Sequence, residues 1–275
     1  GIMTSIAKAL GFIIDLIYSW IPNYGVAIIF FTLIVRLVLL PLNIKQQKSM
    51  IKMQKINPLL AKIQEKYKND KDKAAQETMK LYKEYKISPF SGCLPLLIQF
   101  PILIALIWVI YDPAKYMFGV DTSTLFVDVA RNNLTLARLQ YAVDACGLNA
   151  NFLGINLVAI PDFRSVTTLW IFPILSTVAT YVSGKITQAQ QGASPNTDAG
   201  SQAAQTSRMM TTVMPLMTLF FTFTMPVAAS FYWFISSAVQ ILQTLVLKVI
   251  IKVDDIPLND GGTWHERNSK KRKNG

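Results

Sequence analysis

The stretch FFTLIVRLVLLPLN, residues 30–43, sets an arginine inside a run that otherwise suits hydrocarbon. From Val26 to Leu42 only Thr32 and Arg36 are polar. As a helix that run is about 25 Å long, close to the thickness of a bilayer core. A charge at the centre of such a span costs about 2.5–3.5 kcal/mol on insertion scales. Snorkelling towards Asn43 would relieve the charge, but a lipid-facing guanidinium stays poorly accounted for. The residue therefore reads as part of a site that is wet or partnered.

The rest of the chain agrees with a membrane setting. Of its 275 residues 52% are hydrophobic and 16% charged, against about 25% charged in soluble domains. Long, nearly uncharged runs recur, as in a polytopic membrane protein. The net charge of +11 would suit nucleic acid in a soluble protein. Here the anionic inner leaflet and the sidedness of Lys and Arg explain it better, and no sequence-specific nucleic-acid binding is expected. Two cysteines, Cys93 and Cys146, and a lone histidine, His265, make neither a disulfide framework nor a metal site.

The pattern predicts an all-α polytopic membrane protein with five transmembrane helices. The spans are 23–42, 91–111, 167–187, 209–226 and 227–251, the last two joined by a tight re-entry. Residues 43–90 form a cytoplasmic helical hairpin, 112–166 an extracytoplasmic loop, 188–208 a flexible cytoplasmic loop and 252–275 a basic cytoplasmic tail. Residues 43–88 carry twelve lysines against five acids, whereas 113–166 carry four basic residues against four acids. The positive-inside rule then places the N-terminus outside and the C-terminus in the cytoplasm. In residues 1–22 the polar Ser5, Lys8, Asp15 and Ser19 form a narrow stripe, which predicts an extracytoplasmic interfacial helix rather than a sixth span. No charged leader or cleavage site is visible, so a targeting segment is expected to be already gone.

Within 43–88, apolar Met53, Ile56, Leu59, Leu60, Ile63 and Tyr67 recur at helical spacing, and Met79, Tyr82 and Tyr85 recur on the return. This predicts two helices about a turn at residues 69–73, with Pro58 interrupting or kinking the first. LTLARLQYAVDAC, residues 134–146, predicts a short amphipathic helix.

Polar side chains line up inside the spans. Ser176, Thr180, Ser183 and Thr187 share one face, as do Ser236, Gln240 and Gln243 or Thr244. Thr211, Thr218 and Thr222 align in the fourth span, Thr32 lies one turn from Arg36, and the second span offers Gln99. One such stripe is ordinary helix–helix packing. Four stripes beside an arginine, with no Asp or Glu in any span, predict a hydrated groove. It would open to the cytoplasm, because Arg36, Ser183 and Gln240 lie in the cytoplasmic halves and LWIFPIL (169–175) and AASFYWF (228–234) close the outer halves. Prolines at 41, 95, 101, 173 and 215 can bend helices apart around such a groove.

TLIVRLVLLPL (32–42), LYKEYKISPFSGCLPLLIQFPILIAL (81–106), NFLGINL (151–157) and FYWFISSAVQILQ (231–243) resemble the YidC family of membrane protein insertases. The resemblance runs from Trp20 to Lys252. Its most specific part is the spacing of Pro89, Gly92, Cys93, Pro95, Gln99 and Pro101. It implies five core spans, a cytoplasmic hairpin and a groove open to cytoplasm and lipid, in the compact Gram-positive-type form of a multi-pass protein of the bacterial cell membrane. By the resemblance Arg36 is the groove arginine, Thr32 its polar neighbour, and Tyr232 and Trp233 aromatic substrate contacts. Ser183 stands where some members have glutamine. The implied activity is insertion of small membrane proteins, without enzymatic chemistry or cofactor. Its implied partners are nascent chains and lipid, and beyond them the ribosome, targeting factors and the Sec translocon. No phosphate-binding loop is present, so ATP is not expected as a fuel. The substrate-binding groove is expected to comprise Arg36, Thr32, Gln99, Thr180, Ser183, Tyr232, Trp233, Ser236 and Gln240. The alternative is a small-solute carrier using Arg36 for an anion, although internal repeats, the usual mark of such folds, are not found.

Overall fold

Asn23 opens the helix that carries the arginine. Its backbone is extended and its side-chain oxygen accepts from the Val26 amide at 3.1 Å, satisfying one of the helix's orphan donors. The Pro22–Asn23 pair thereby separates α1 (Ile2–Trp20) from α2 (Tyr24–Val38). At the other end Pro41 has no amide to offer Leu37, and the helix breaks at Leu39 before resuming as α3 (Leu40–Lys66). The computed structural model describes residues 1–87, 94–126, 134–190 and 209–251. Pro89, Gly92 and Cys93, the tail 252–275 and most of the expected flexible loop 188–208 lie outside the described residues.

The chain is mainly helical, continuing with α4 (Lys71–Glu84), α5 (Leu94–Tyr111), α6 (Pro113–Tyr116), α7 (Thr122–Leu125) and α8 (Leu134–Asp144). Two short antiparallel strands follow, β1 (Asn151–Phe152) and β2 (Ile155–Asn156), with Asn151 opposite Asn156. Then come α9 (Ile171–Gln190), α10 (Met214–Thr224) and α11 (Val227–Ile250). Among the described residues three helices are long and apolar enough to cross a membrane: Ile2–Trp20, Thr168–Ala189 and Val227–Ile250. A fourth is reached if α2 and α3 form one broken span, and two shorter apolar helices cover Gln99–Tyr111 and Thr211–Thr224. By length and composition alone α1 therefore qualifies as a span as well.

The chain divides into two compact units. The first comprises Gly1–Leu40, Leu96–Lys185 and Met209–Gln243. Its core gathers Ile14, Tyr24, Ile28, Phe31, Leu106, Ile110, Leu139 and Phe231. The α5–α9 connection, expected to hold one amphipathic helix, is far more ordered than a bare loop and clasps its neighbours. Tyr18 donates to the Gly147 carbonyl at 3.2 Å and accepts from the Asn149 amide at 2.7 Å. Asn149 in turn donates to the Pro22 carbonyl, and Asn23 to that of Asn151. The first amides of α11, Val227 and Ala228, donate to Ala159 and Leu157 at 2.8 and 2.7 Å, so the helix end is satisfied by the loop. Phe152 packs on Gly25 and on the Phe231 ring, 4.9 Å between centroids. Asp112 caps α6 and is held by Thr122 at 2.5 Å and Arg138 at 3.4 Å.

The second unit comprises Pro41–Pro95, Ile186–Arg208 and Thr244–Gly275. Ile56, Leu59, Leu60 and Ile63 of α3 pack with Leu81, Tyr85 and Ile87 around α4, flanked by Met53, Tyr67 and Tyr82. Three expectations are corrected here. The return helix begins at Lys71, inside the expected turn, because Asp70 caps it by accepting from Lys73. Met79 is 47% exposed, and Leu81, not singled out in the sequence, is fully buried in its stead. The first helix also runs through Pro58 without interruption.

Candidate functional site in the polar cluster around Arg36

Arg36 closes the last turn of α2. Around it the helix is apolar and open: Leu37 is 66% and Val38 71% exposed, surface that only lipid or another chain would welcome. The guanidinium instead turns to α11. Its Nη2 donates to the Ser236 carbonyl at 2.9 Å, to Ser236 Oγ at 2.6 Å and to Gln240 Oε1 at 3.3 Å. Ser236 and Gln240 are one helical turn apart, so one face of α11 supplies every acceptor. None of them is a carboxylate. An arginine keeps its proton in proteins, and neutral acceptors solvate the charge without cancelling it.

The cluster extends along α11 to Tyr232, one turn before Ser236 and only 3% exposed. Gln99 of α5 donates to the Tyr232 hydroxyl at 3.1 Å. Three helices, α2, α5 and α11, thus meet through five of the nine residues expected from the sequence: Arg36, Gln99, Tyr232, Ser236 and Gln240. The others stand differently. Thr32 is buried and donates to the Ile28 carbonyl at 2.7 Å. Thr180 likewise donates to the Ser176 carbonyl at 2.8 Å. Both hydroxyls close onto their own helix four residues back, the usual resting state of threonine in an apolar helix. Trp233 and Ser183 are half-buried, on α11 and α9. The Ser236 carbonyl was not foreseeable as a partner, since a backbone acceptor carries no side-chain signal. The Gln99–Tyr232 pairing could have been suspected from two polar side chains in otherwise apolar spans.

The arrangement can attract and briefly hold an anion. It has no buried acid, no nucleophile beside a base and, among the described residues, no group of His, Cys, Asp and Glu able to hold a metal.

Three apolar helices of membrane-spanning length, or four with the broken pair, in a mainly helical chain define a multi-pass membrane protein. Residues 16–254 match the family described as 60Kd inner membrane protein, and the chain belongs to that family. A protein of Clostridium perfringens named membrane protein insertase YidC is 36% identical over 256 residues, covering 91% of this chain and 90% of that protein. The Clostridium tetani protein of the same name is 36% identical over 229 residues, covering 82% and 83%. Against the Treponema denticola protein of that name the chain aligns over 92% of its own length but only 39% of the relative's, at 29% identity. This sequence therefore corresponds to nearly the whole of the shorter relatives and to a minor part of the longer one.

Proposed function

We propose that this chain is a membrane protein insertase working through a hydrated groove built on Arg36. Membership in a family whose relatives are named insertases supports the activity. The observation that carries the mechanism is the buried-side contact of Arg36 with neutral acceptors only, in a chain segment that is otherwise apolar. Five spans, 23–42, 91–111, 167–187, 209–226 and 227–251, surround the groove. The N-terminus is outside, the helix at 1–22 lies in the outer interface, and the lysine-rich hairpin and tail are cytoplasmic, as the positive-inside rule requires.

A small membrane protein faces its main barrier at its polar end, which must cross about 30 Å of hydrocarbon. A groove wet from the cytoplasm shortens that path. Arg36 gives acidic residues of the passing tail a transient counter-charge, worth more in a partly dehydrated groove than in bulk water. The apolar segment leaves between the third and fifth spans, past Thr180, Ser183, Tyr232 and Trp233. Hydrophobic transfer at roughly 0.8 kcal/mol per buried methylene drives it, so no nucleotide is consumed. The basic hairpin and tail meet nascent chains, targeting factors, the ribosome or the Sec translocon.

The test is insertion of a single-span substrate with an acidic N-terminal tail into liposomes holding only this protein, scored by protease protection of the tail. Insertion is expected with Arg36 and a loss of about tenfold or more with Arg36→Ala, the worth of one charge-assisted contact. Arg36→Lys should retain part of the activity, since the charge survives while the guanidinium's spread of separate donors does not. Equal insertion by all three proteins would refute the role given to the arginine, and anion uptake lost in Arg36→Ala would favour a carrier.

A further inference from the structure

Arginine can grip a carboxylate with two parallel hydrogen bonds in only two ways. One pairs Nε with Nη2, the terminal nitrogen on the same side as the Nε proton; the other pairs Nη1 with Nη2. Nη2 is common to both forks. In this structure it is the nitrogen that α11 occupies: Ser236 supplies two acceptors and Gln240 a third, for the two protons that Nη2 carries. Among the described residues Nε and Nη1 of Arg36 have no hydrogen-bond partner.

We propose that Ser236 and Gln240 act as a latch that keeps Arg36 from closing bidentately on an incoming acid. This rests on Arg36 being the receptor for acidic tails described above. With Nη2 taken, a carboxylate in the groove receives single hydrogen bonds from Nε or Nη1, and a two-pronged grip requires a partner of Nη2 to leave first. The guanidinium therefore attracts by charge and holds by one bond. A conduit needs that combination, because a substrate gripped by a full fork in a desolvated groove would stop there. Ser236 and Gln240 are positioning residues in this scheme: they set how Arg36 holds an acid, and so how long it stays.

Two paired probes test the proposal: a fluorescent single-span peptide with an Asp/Glu tail, and its Asn/Gln counterpart. Binding is measured to the full chain in nanodiscs of neutral phosphatidylcholine, so that lipid charge does not compete. The readout is the ratio of the two affinities, which a general loosening of the fold would not raise. The wild type is expected to favour the acidic tail. Ser236→Ala combined with Gln240→Leu leaves Nη2 only the Ser236 carbonyl, one acceptor for two protons, and should raise that preference about fivefold and slow release of the acidic peptide to match, the effect of one added hydrogen bond. Gln240→Leu alone, which removes only the longest contact, should move the ratio in the same direction by less. In an Arg36→Lys background the double change should add nothing, because an ammonium has no fork to release. A preference that is present in the wild type, absent in Arg36→Ala, and unchanged or lower in the latch variant overturns the latch and leaves the receptor standing. Absence of preference in wild type and latch variant alike overturns both.

Discussion

A single missing methyl group fixes how closely the α5–α9 connection approaches α2. A Cβ at Gly25 would overlap the ring and Cβ of Phe152, and the same ring packs at a tilt on Phe231 of α11. Gly25→Ala should destabilise the protein by about 1–3 kcal/mol through overpacking. The check is thermal unfolding in detergent, with Phe152→Ala in the same background recovering part of the loss. Arg36 was legible in the sequence because charge inside hydrocarbon is costly enough to stand out. Thr32 lies one turn away, and one-turn spacing guarantees a shared face but not a shared bond. Its hydroxyl has a nearer acceptor in its own helix.

At the scale of elements, periodicity located the hairpin well and chose its return contacts less well. On α3, Ile56, Leu59, Leu60 and Ile63 satisfy the helical spacing and are buried. On α4 the expected Met79 faces outward, and Leu81 with Tyr85 one turn later fills the interface. A short helix rich in lysine offers several sparse apolar stripes, and packing against a partner decides among them. Leu81→Ala should cost about 2–5 kcal/mol of local stability, seen as faster amide exchange across Ile56–Ile63 and Leu81–Glu84. Met79→Ala should shift exchange there by no more than about 0.5 kcal/mol. Equal effects from the two changes would mean the hairpin packs otherwise. Tyr82, half-buried beside this core, has its phenol pushed above the usual range by burial, so it stays neutral throughout the physiological range.

For the whole molecule, composition and charge asymmetry gave the class and a sidedness that one thiol can test. Cys146 is half-exposed in the connection assigned to the outer side, and burial raises its thiol above the ordinary range. With Cys93→Ser in place, an impermeant maleimide added outside intact cells should label it. Labelling should be slow at neutral pH and rise about tenfold per pH unit, as the thiolate fraction does. Labelling only from the cytoplasmic face would invert the topology. The clasp formed by that connection was invisible in the sequence, because its acceptors are the carbonyls of Gly147, Asn151, Leu157 and Ala159.

The clasp also dictates an order of events during the protein's own synthesis. Leu157 and Ala159 receive their hydrogen bonds from Val227 and Ala228, and Phe152 receives Phe231. When a ribosome has translated through the first of these, the second set does not yet exist. Throughout that interval the two carbonyls need other donors, and the Phe152 ring has Gly25 to rest on but not Phe231. The clasp is thus completed late, when Val227–Ile250 has been made and brings its first turn to the waiting loop.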